Sequence, residues 1–271
     1  MRRRLGIFGT AFALVALLLA GMYATSPTAA RAASTMVGPK QYYLALGDSL
    51  AYGYQPNYDW SDGYTQDFQN HIGTTTYENY ACNGETSTTM INGGCPYWYT
   101  NHIWYFEPQL TAAVGFIQAH PGQVSPVTLD MGGNDMLPDI DPSTCTISAS
   151  WTTDLATLHS NLVNTILPQL TSALTISGHR TGDLMMMNYY DPFINMCPNT
   201  LSYIKQLNNE LAADAALFNI PLVNTYAAFG GDGQGANICD YTWICSYFSD
   251  IHATNTGYQV IANAFAAMAG Y

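Results

Sequence analysis

Short apolar runs alternate with segments of helical period along most of this chain, and that alternation narrows the fold more than any single motif. Tyr42–Leu46, Val127–Met131, Asp183–Tyr190 and Pro221–Thr225 read as strands, with Thr75–Tyr80 a more polar fifth. Between them Gln109–His120 places Leu110, Val114, Phe116 and Ile117 at helical spacing and stops at Pro121 and Gly122. Trp151–Ile176 carries leucines at helical intervals and is expected to kink at Pro168. Leu201–Phe218 and Thr256–Met268 complete the helices, and Gly230–Gly235 is expected to form a surface loop. Such alternation predicts an α/β domain built on a parallel sheet with helices on both faces. The three methionines of Asp183–Tyr190 are then core residues. No repeat or low-complexity tract interrupts the pattern.

The start of the chain is different in kind. Arg2, Arg3 and Arg4 precede an apolar stretch from Leu5 to Met22, and small residues follow up to Ala30-Arg31-Ala32. This predicts a secretory signal peptide over residues 1–32, with 33–271 as one domain and no stable membrane anchor. The apolar stretch sits at the short edge of what a bilayer span needs, roughly 20 residues. Removing residues 1–32 from the 271 leaves Lys40, Arg180 and Lys205 against 19 acids, a net charge of −16. Such a surface repels nucleic acid and anionic membranes, so neither is an expected partner. A secreted, extracellular monomer is expected.

Export also sets the cysteine chemistry. Cys82, Cys95, Cys145, Cys197, Cys239 and Cys245 are an even set in an oxidising compartment, which predicts three disulfides. Fifteen connectivities are possible. The short loops Cys82 with Cys95 and Cys239 with Cys245 are favoured, which leaves Cys145 with Cys197. No C-x-x-C occurs and the six histidines are scattered, so neither a metal nor a cofactor is expected. Asp139 and Asp141 could hold calcium, but read more plainly as turn residues around Pro138 and Pro142.

Four motifs fall after strands or before the closing helix. They are Gly47-Asp48-Ser49-Leu50, Asn83-Gly84, Gly132-Gly133-Asn134-Asp135 and Asp250-Ile251-His252. In an open parallel sheet, ligands bind outside the carboxyl ends of the strands, so all four point to one edge. A serine hydroxyl needs a base to take its proton and preset donors to hold an oxyanion. Each motif alone has a plain reading, as a turn or a helix cap.

Together and in this order, from Tyr42 to the C-terminus, they resemble the SGNH subgroup of GDSL esterases and lipases. The resemblance implies a flavodoxin-like three-layer α/β/α sandwich with a five-stranded parallel sheet. It implies Ser49 as nucleophile and His252 as general base. The oxyanion hole would be formed by the backbone N–H groups of Ser49 and Gly84 and the side-chain amide of Asn134. One position departs from the family. The usual acid stands three residues before the histidine, where this chain has Ser249; Asp250 stands only two before. Three arrangements remain open: Asp250 on a bent loop, the Ser249 carbonyl in a Ser–His dyad, or a distant acid. Asp250 is taken as the candidate acid.

The expected function is therefore a secreted serine ester hydrolase acting on a small-molecule, lipid or polysaccharide ester. A carbohydrate O-acetylesterase is the rival enzyme, and a catalytically silent binding module is the rival from another class. The aromatic segment Tyr97–Phe106 is read as either lining a pocket or packing under a loop, with packing favoured.

Overall fold

Parallel strands β1 (Tyr42–Leu46), β2 (Thr76–Asn79), β3 (Val124–Leu129), β4 (Leu184–Met187) and β5 (Leu222–Val223) form one sheet in the order β2-β1-β3-β4-β5. In this computed structural model, residues 36–59, 62–74, 76–95 and 105–271 are described. The segment expected to be a signal peptide, and all but Tyr105 and Phe106 of the aromatic segment, lie outside them. The strand order reverses between β1 and β3, the switch point at which α/β sheets of this three-layer, flavodoxin-like kind open a crevice.

The central strands are apolar throughout because helices cover both their faces. Tyr43–Leu46 in β1 and every residue of β3 and β4 are buried. β3 starts at Val124, three residues before its apolar run suggests, and passes through Pro126. Proline has no N–H to give the ladder, and the register against β1 shifts between Tyr42 and Leu44, opposite this point. The closing helix Asn255–Ala269 packs on the helix Tyr64–Ile72, where Tyr64 and Phe265 stack with centroids 5.1 Å apart.

Two expectations change. The segment Trp151–Ile176 is not one helix kinked at Pro168. It runs as Trp151–Asn161, a wide π turn at Leu162–Ile166, a helix Leu167–Ala173, and a short strand Thr175–Ile176 paired with His179–Arg180. The wide turn comes just before the proline, so the missing N–H falls at the first turn of a new helix, where it costs nothing. Gly230–Gly235 lies mostly within a 3₁₀ turn, Gly231–Ala236, whose Gln234 is buried and accepts from Asp191 N at 2.7 Å. The sequence analysis also passed over the helices Tyr64–Ile72 and Ser87–Asn92, which are short and mostly polar. Disulfides join Cys82 to Cys95, Cys145 to Cys197 and Cys239 to Cys245, with Cα–Cα separations of 5.6, 5.2 and 5.1 Å.

Candidate active site

Ser49 begins a four-residue helix, Ser49–Tyr52, directly after β1. The turn that presents it admits no side chain at Gly47. There φ is 136°, and a Cβ would lie 1.4 Å from Asp130 Oδ1. Gln109 clamps that glycine on both sides. Gly47 N donates to its Oε1 at 2.8 Å, and its Nε2 donates to Gly47 O at 3.0 Å. Asp48 N donates to Asp130 Oδ1 at 3.1 Å, and Asp48 Oδ1 caps the helix by accepting from Leu50 N at 2.9 Å.

His252 arrives from the loop before the closing helix. Its Nε2 is 2.7 Å from Ser49 Oγ. Its Nδ1 is 2.6 Å from Asp250 Oδ1, which also accepts from His252 N at 2.8 Å. Since a carboxylate only accepts, Nδ1 carries the proton and Nε2 is left to accept from the serine hydroxyl. Ser249 supplies the bend that brings an acid so close to the histidine in sequence onto the ring: its φ is +46°, in the left-handed region. Neighbouring groups pin this loop. Tyr190 Oη donates to Ile251 O at 2.9 Å, Trp243 N donates to His252 O at 3.0 Å, and Asp250 N donates to Trp243 O at 3.3 Å. Trp243 lies inside the small loop closed by Cys239–Cys245.

Gly84 and Asn134 line the same cleft as Ser49 and His252. Gly84, at φ 77°, sits in a turn where Glu85 N donates to Cys82 O at 3.1 Å. Asn134 Nδ2 donates to Glu85 O at 3.0 Å, which spends one of the two amide hydrogens and leaves the other. Asp135 accepts from Ser87 N at 2.9 Å, tying the loop after β3 to the helix Ser87–Asn92.

Three carboxyl groups lie buried beneath these loops, Asp48, Glu85 and Asp130. Burial pushes Glu85 up to about 7 and Asp48 up to about 6, against the hydrogen bonds each accepts. Asp130 is pushed well above the carboxylate range, by burial first and by the charge of Asp48 second. Asp250 goes the other way. Burial opposes its charge, but the hydrogen bonds from the ring and the backbone N–H of His252 and the electrostatic pull of that side chain prevail and hold it below its ordinary value. Of these four acids, the one beside the imidazole is therefore the one whose surroundings favour its ionised form.

The cleft encloses 510 Å³, within the usual range for small-molecule sites. Met136, Leu137, Ile140, Ile204 and Leu207 give it an apolar wall. Tyr54 flanks the histidine, with ring centroids 4.5 Å apart. Tyr105, from the aromatic segment, packs on the Cys82–Cys95 bridge and donates to Tyr80 O at 2.5 Å.

The model of the GDSL-like lipase/acylhydrolase family matches residues 45–260. The chain belongs to that family. Among solved structures, a lipase from a goat rumen metagenome superposes with a TM-score of 0.57 at 18% identity, covering 86% of this chain and 98% of its own. Axe2, an acetylxylan esterase from Geobacillus stearothermophilus, gives 0.54 at 17%, covering 87% and 96%. An extracellular lipase from Streptomyces rimosus gives 0.51 at 18%, covering 83% and 99%. At these identities the likeness is one of fold. No curated protein matches by sequence. Membership makes this GDSL-family chain an ester hydrolase.

The structure brings Ser49, His252 and Asp250 into one hydrogen-bonded row, and Ser49, Gly84 and Asn134 onto one cleft. Sequence reasoning passed over Gln109, Tyr190 and Trp243, which hold the Ser49 turn and the His252 loop. They act through contacts with residues far along the chain, and no local pattern marks them.

Proposed function

We propose that the protein is a secreted serine carboxylic ester hydrolase. The observation that carries this reading is the 2.7 Å contact between Ser49 Oγ and His252 Nε2 on an apolar cleft. Ser49 attacks the ester carbonyl as His252 takes its proton, and Asp250 steadies the imidazolium that forms. The N–H groups of Ser49 and Gly84 and the free amide hydrogen of Asn134 receive the oxyanion. His252 then protonates the leaving alkoxide, and water repeats the sequence on the acyl-enzyme. Each step moves one proton between named atoms and needs no further group.

The apolar wall supports acyl groups longer than acetyl, which separates this reading from a carbohydrate O-acetylesterase. Export of residues 33–271 after removal of 1–32 belongs to the same proposal. It is supported by the three disulfides, and no described helix is long and apolar enough to cross a membrane. The test is hydrolysis of p-nitrophenyl esters from acetate to palmitate by the mature protein beside Ser49→Ala. Turnover that the variant abolishes, with an optimum beyond acetate, supports the proposal. Activity confined to acetyl esters transfers it to the O-acetylesterase, and equal turnover in the variant removes Ser49 as nucleophile.

A further inference from the structure

Outside the cleft, the helix Trp151–Asn161 sets His159 against two carboxylates on the helix Thr200–Leu217. Glu210 and Asp214 are four residues apart there, so one helical turn places both on the same face. His159 Nδ1 lies 2.8 Å from Glu210 Oε1 and 2.7 Å from Asp214 Oδ1. The ligand-type atoms of all three residues fall within 4.8 Å of one another. The side chain of Asp214 is 0% exposed, while those of His159 and Glu210 are 43% and 33% exposed.

An ordinary surface ion pair would leave no debt. Here Asp214 Oδ2 is buried with no hydrogen-bond partner among the described residues. A buried polar atom left unmade costs roughly 1–3 kcal/mol. Nδ1 also offers a single hydrogen to two converging carboxylates. A cation at the point where the three side chains meet, reached from the solvent side, would draw ligands from both carboxylates at once and give the buried Asp214 a second partner.

We infer that His159, Glu210 and Asp214 form a divalent transition-metal site of the zinc class, clipping the helix Trp151–Asn161 to the helix Thr200–Leu217. One imidazole nitrogen with carboxylate oxygens suits zinc, whereas calcium takes oxygen ligands alone. Ligands about 2.1 Å from a tetrahedral ion stand roughly 3.4 Å apart, so the present contacts of 2.8 and 2.7 Å open by about 0.6–0.7 Å on binding. His159 and Glu210, both partly exposed, have room for that movement. His159 and Asp214 are 55 positions apart in the chain, which is why no ligand spacing marks them in the sequence.

The clip sits behind the active-site loop. Leu158 and Leu207, from the same two helices, come within 2.8 and 3.5 Å of where a Cβ on Gly132 would stand, two residues before Asn134. Leu207 also lines the cleft. The ion's part is structural, bracing that wall, and the inference does not depend on which ester the cleft takes.

Calorimetric titration of zinc into the mature protein, beside His159→Gln and Glu210→Gln, tests it. One saturable site is expected, weakened at least tenfold in each variant, with the variants keeping wild-type circular dichroism. Both substituted residues are partly exposed, so folding survives where Asp214→Asn could lose it. No saturation at roughly 1 mM zinc, a dissociation constant worth only about 4 kcal/mol, would overturn the inference. So would undiminished binding in the variants, which would put the ion elsewhere, for example on His252. Calcium saturating this site while zinc does not would overturn the assigned ion class.

Discussion

Asp250 Oδ1 accepts two hydrogen bonds from one residue, His252, through its backbone N–H at 2.8 Å and its ring Nδ1 at 2.6 Å. A single oxygen thus fixes both the start of the loop and the direction of the ring. The left-handed Ser249 makes this geometry possible with only one residue between acid and base. A regular extended segment would carry the carboxylate past the imidazole.

Asp250→Asn should therefore lower kcat by about 10²–10⁴ with KM little changed, as loss of the orienting acid does in serine hydrolases. Steady-state kinetics on a p-nitrophenyl ester decide it. A loss under tenfold would mean that the ring is oriented by something other than Asp250.

Asn134→Ala should cost about 10²–10³ in kcat, the usual effect of removing one oxyanion donor. The accompanying change in KM should be small, because the donor is needed mainly once charge develops on the carbonyl oxygen. A rise in KM at unchanged kcat would instead make Asn134 a residue that binds the ground state.

Gly47→Ala is expected to be among the most damaging single substitutions outside the hydrogen-bonded row of Ser49, His252 and Asp250. Its methyl would stand 1.4 Å from Asp130 Oδ1 at a φ that disfavours any side chain. Clearing it must break the Gln109 clamp or move Asp130. A loss above about 4 kcal/mol, roughly 8–16 °C in Tm, is expected by thermal melting.

Stability should fall as pH rises from 5 to 8. Glu85, raised to about 7, and Asp48, raised to about 6, bind protons in the folded state that the unfolded chain has already released. Their contribution is full below the ordinary carboxylate range and is lost as pH passes through these raised values. For Glu85 the effect is on the order of 3 kcal/mol at most. Glu85→Gln should flatten the profile of denaturation midpoint against pH. An unchanged slope would show that Glu85 is not among the groups responsible.

Two of the disulfides should separate stability from activity. Loss of Cys145–Cys197, which closes 52 residues, should cost about 4 kcal/mol in the chain-entropy account. Loss of Cys239–Cys245, which closes 6, should cost only about 2 kcal/mol. The smaller loop nevertheless holds Trp243, which bonds the backbone on both sides of Ile251. Paired serine variants should therefore show the larger drop in Tm for the long loop and the larger drop in kcat for the short one.

The parts of the fold legible in the sequence are those written in local periodicity. β1 stands at Tyr42–Leu46 as its apolar run requires, and the helices Gln109–Ala119, Thr200–Leu217 and Asn255–Ala269 begin and end within a residue of their expected bounds. Errors gathered where a local signal was ambiguous. Pro126 hid the start of β3, and Pro168 drew attention from the wide turn before it. The strand–helix alternation also placed Ser49, Gly84, Asn134 and His252 at one sheet edge, because a parallel sheet presents every strand's carboxyl end on the same side.

What the sequence by itself determined is this α/β architecture and the edge where its chemistry-bearing residues gather. Only the tertiary structure decided that Ser49 meets His252 across 203 positions, that Asp250 turns onto the ring, and that Gln109 grips Gly47. Periodicity is a property of neighbours in the chain. Contacts between distant residues depend on how strands and helices pack and on single backbone angles such as that of Ser249, which leave no periodic trace.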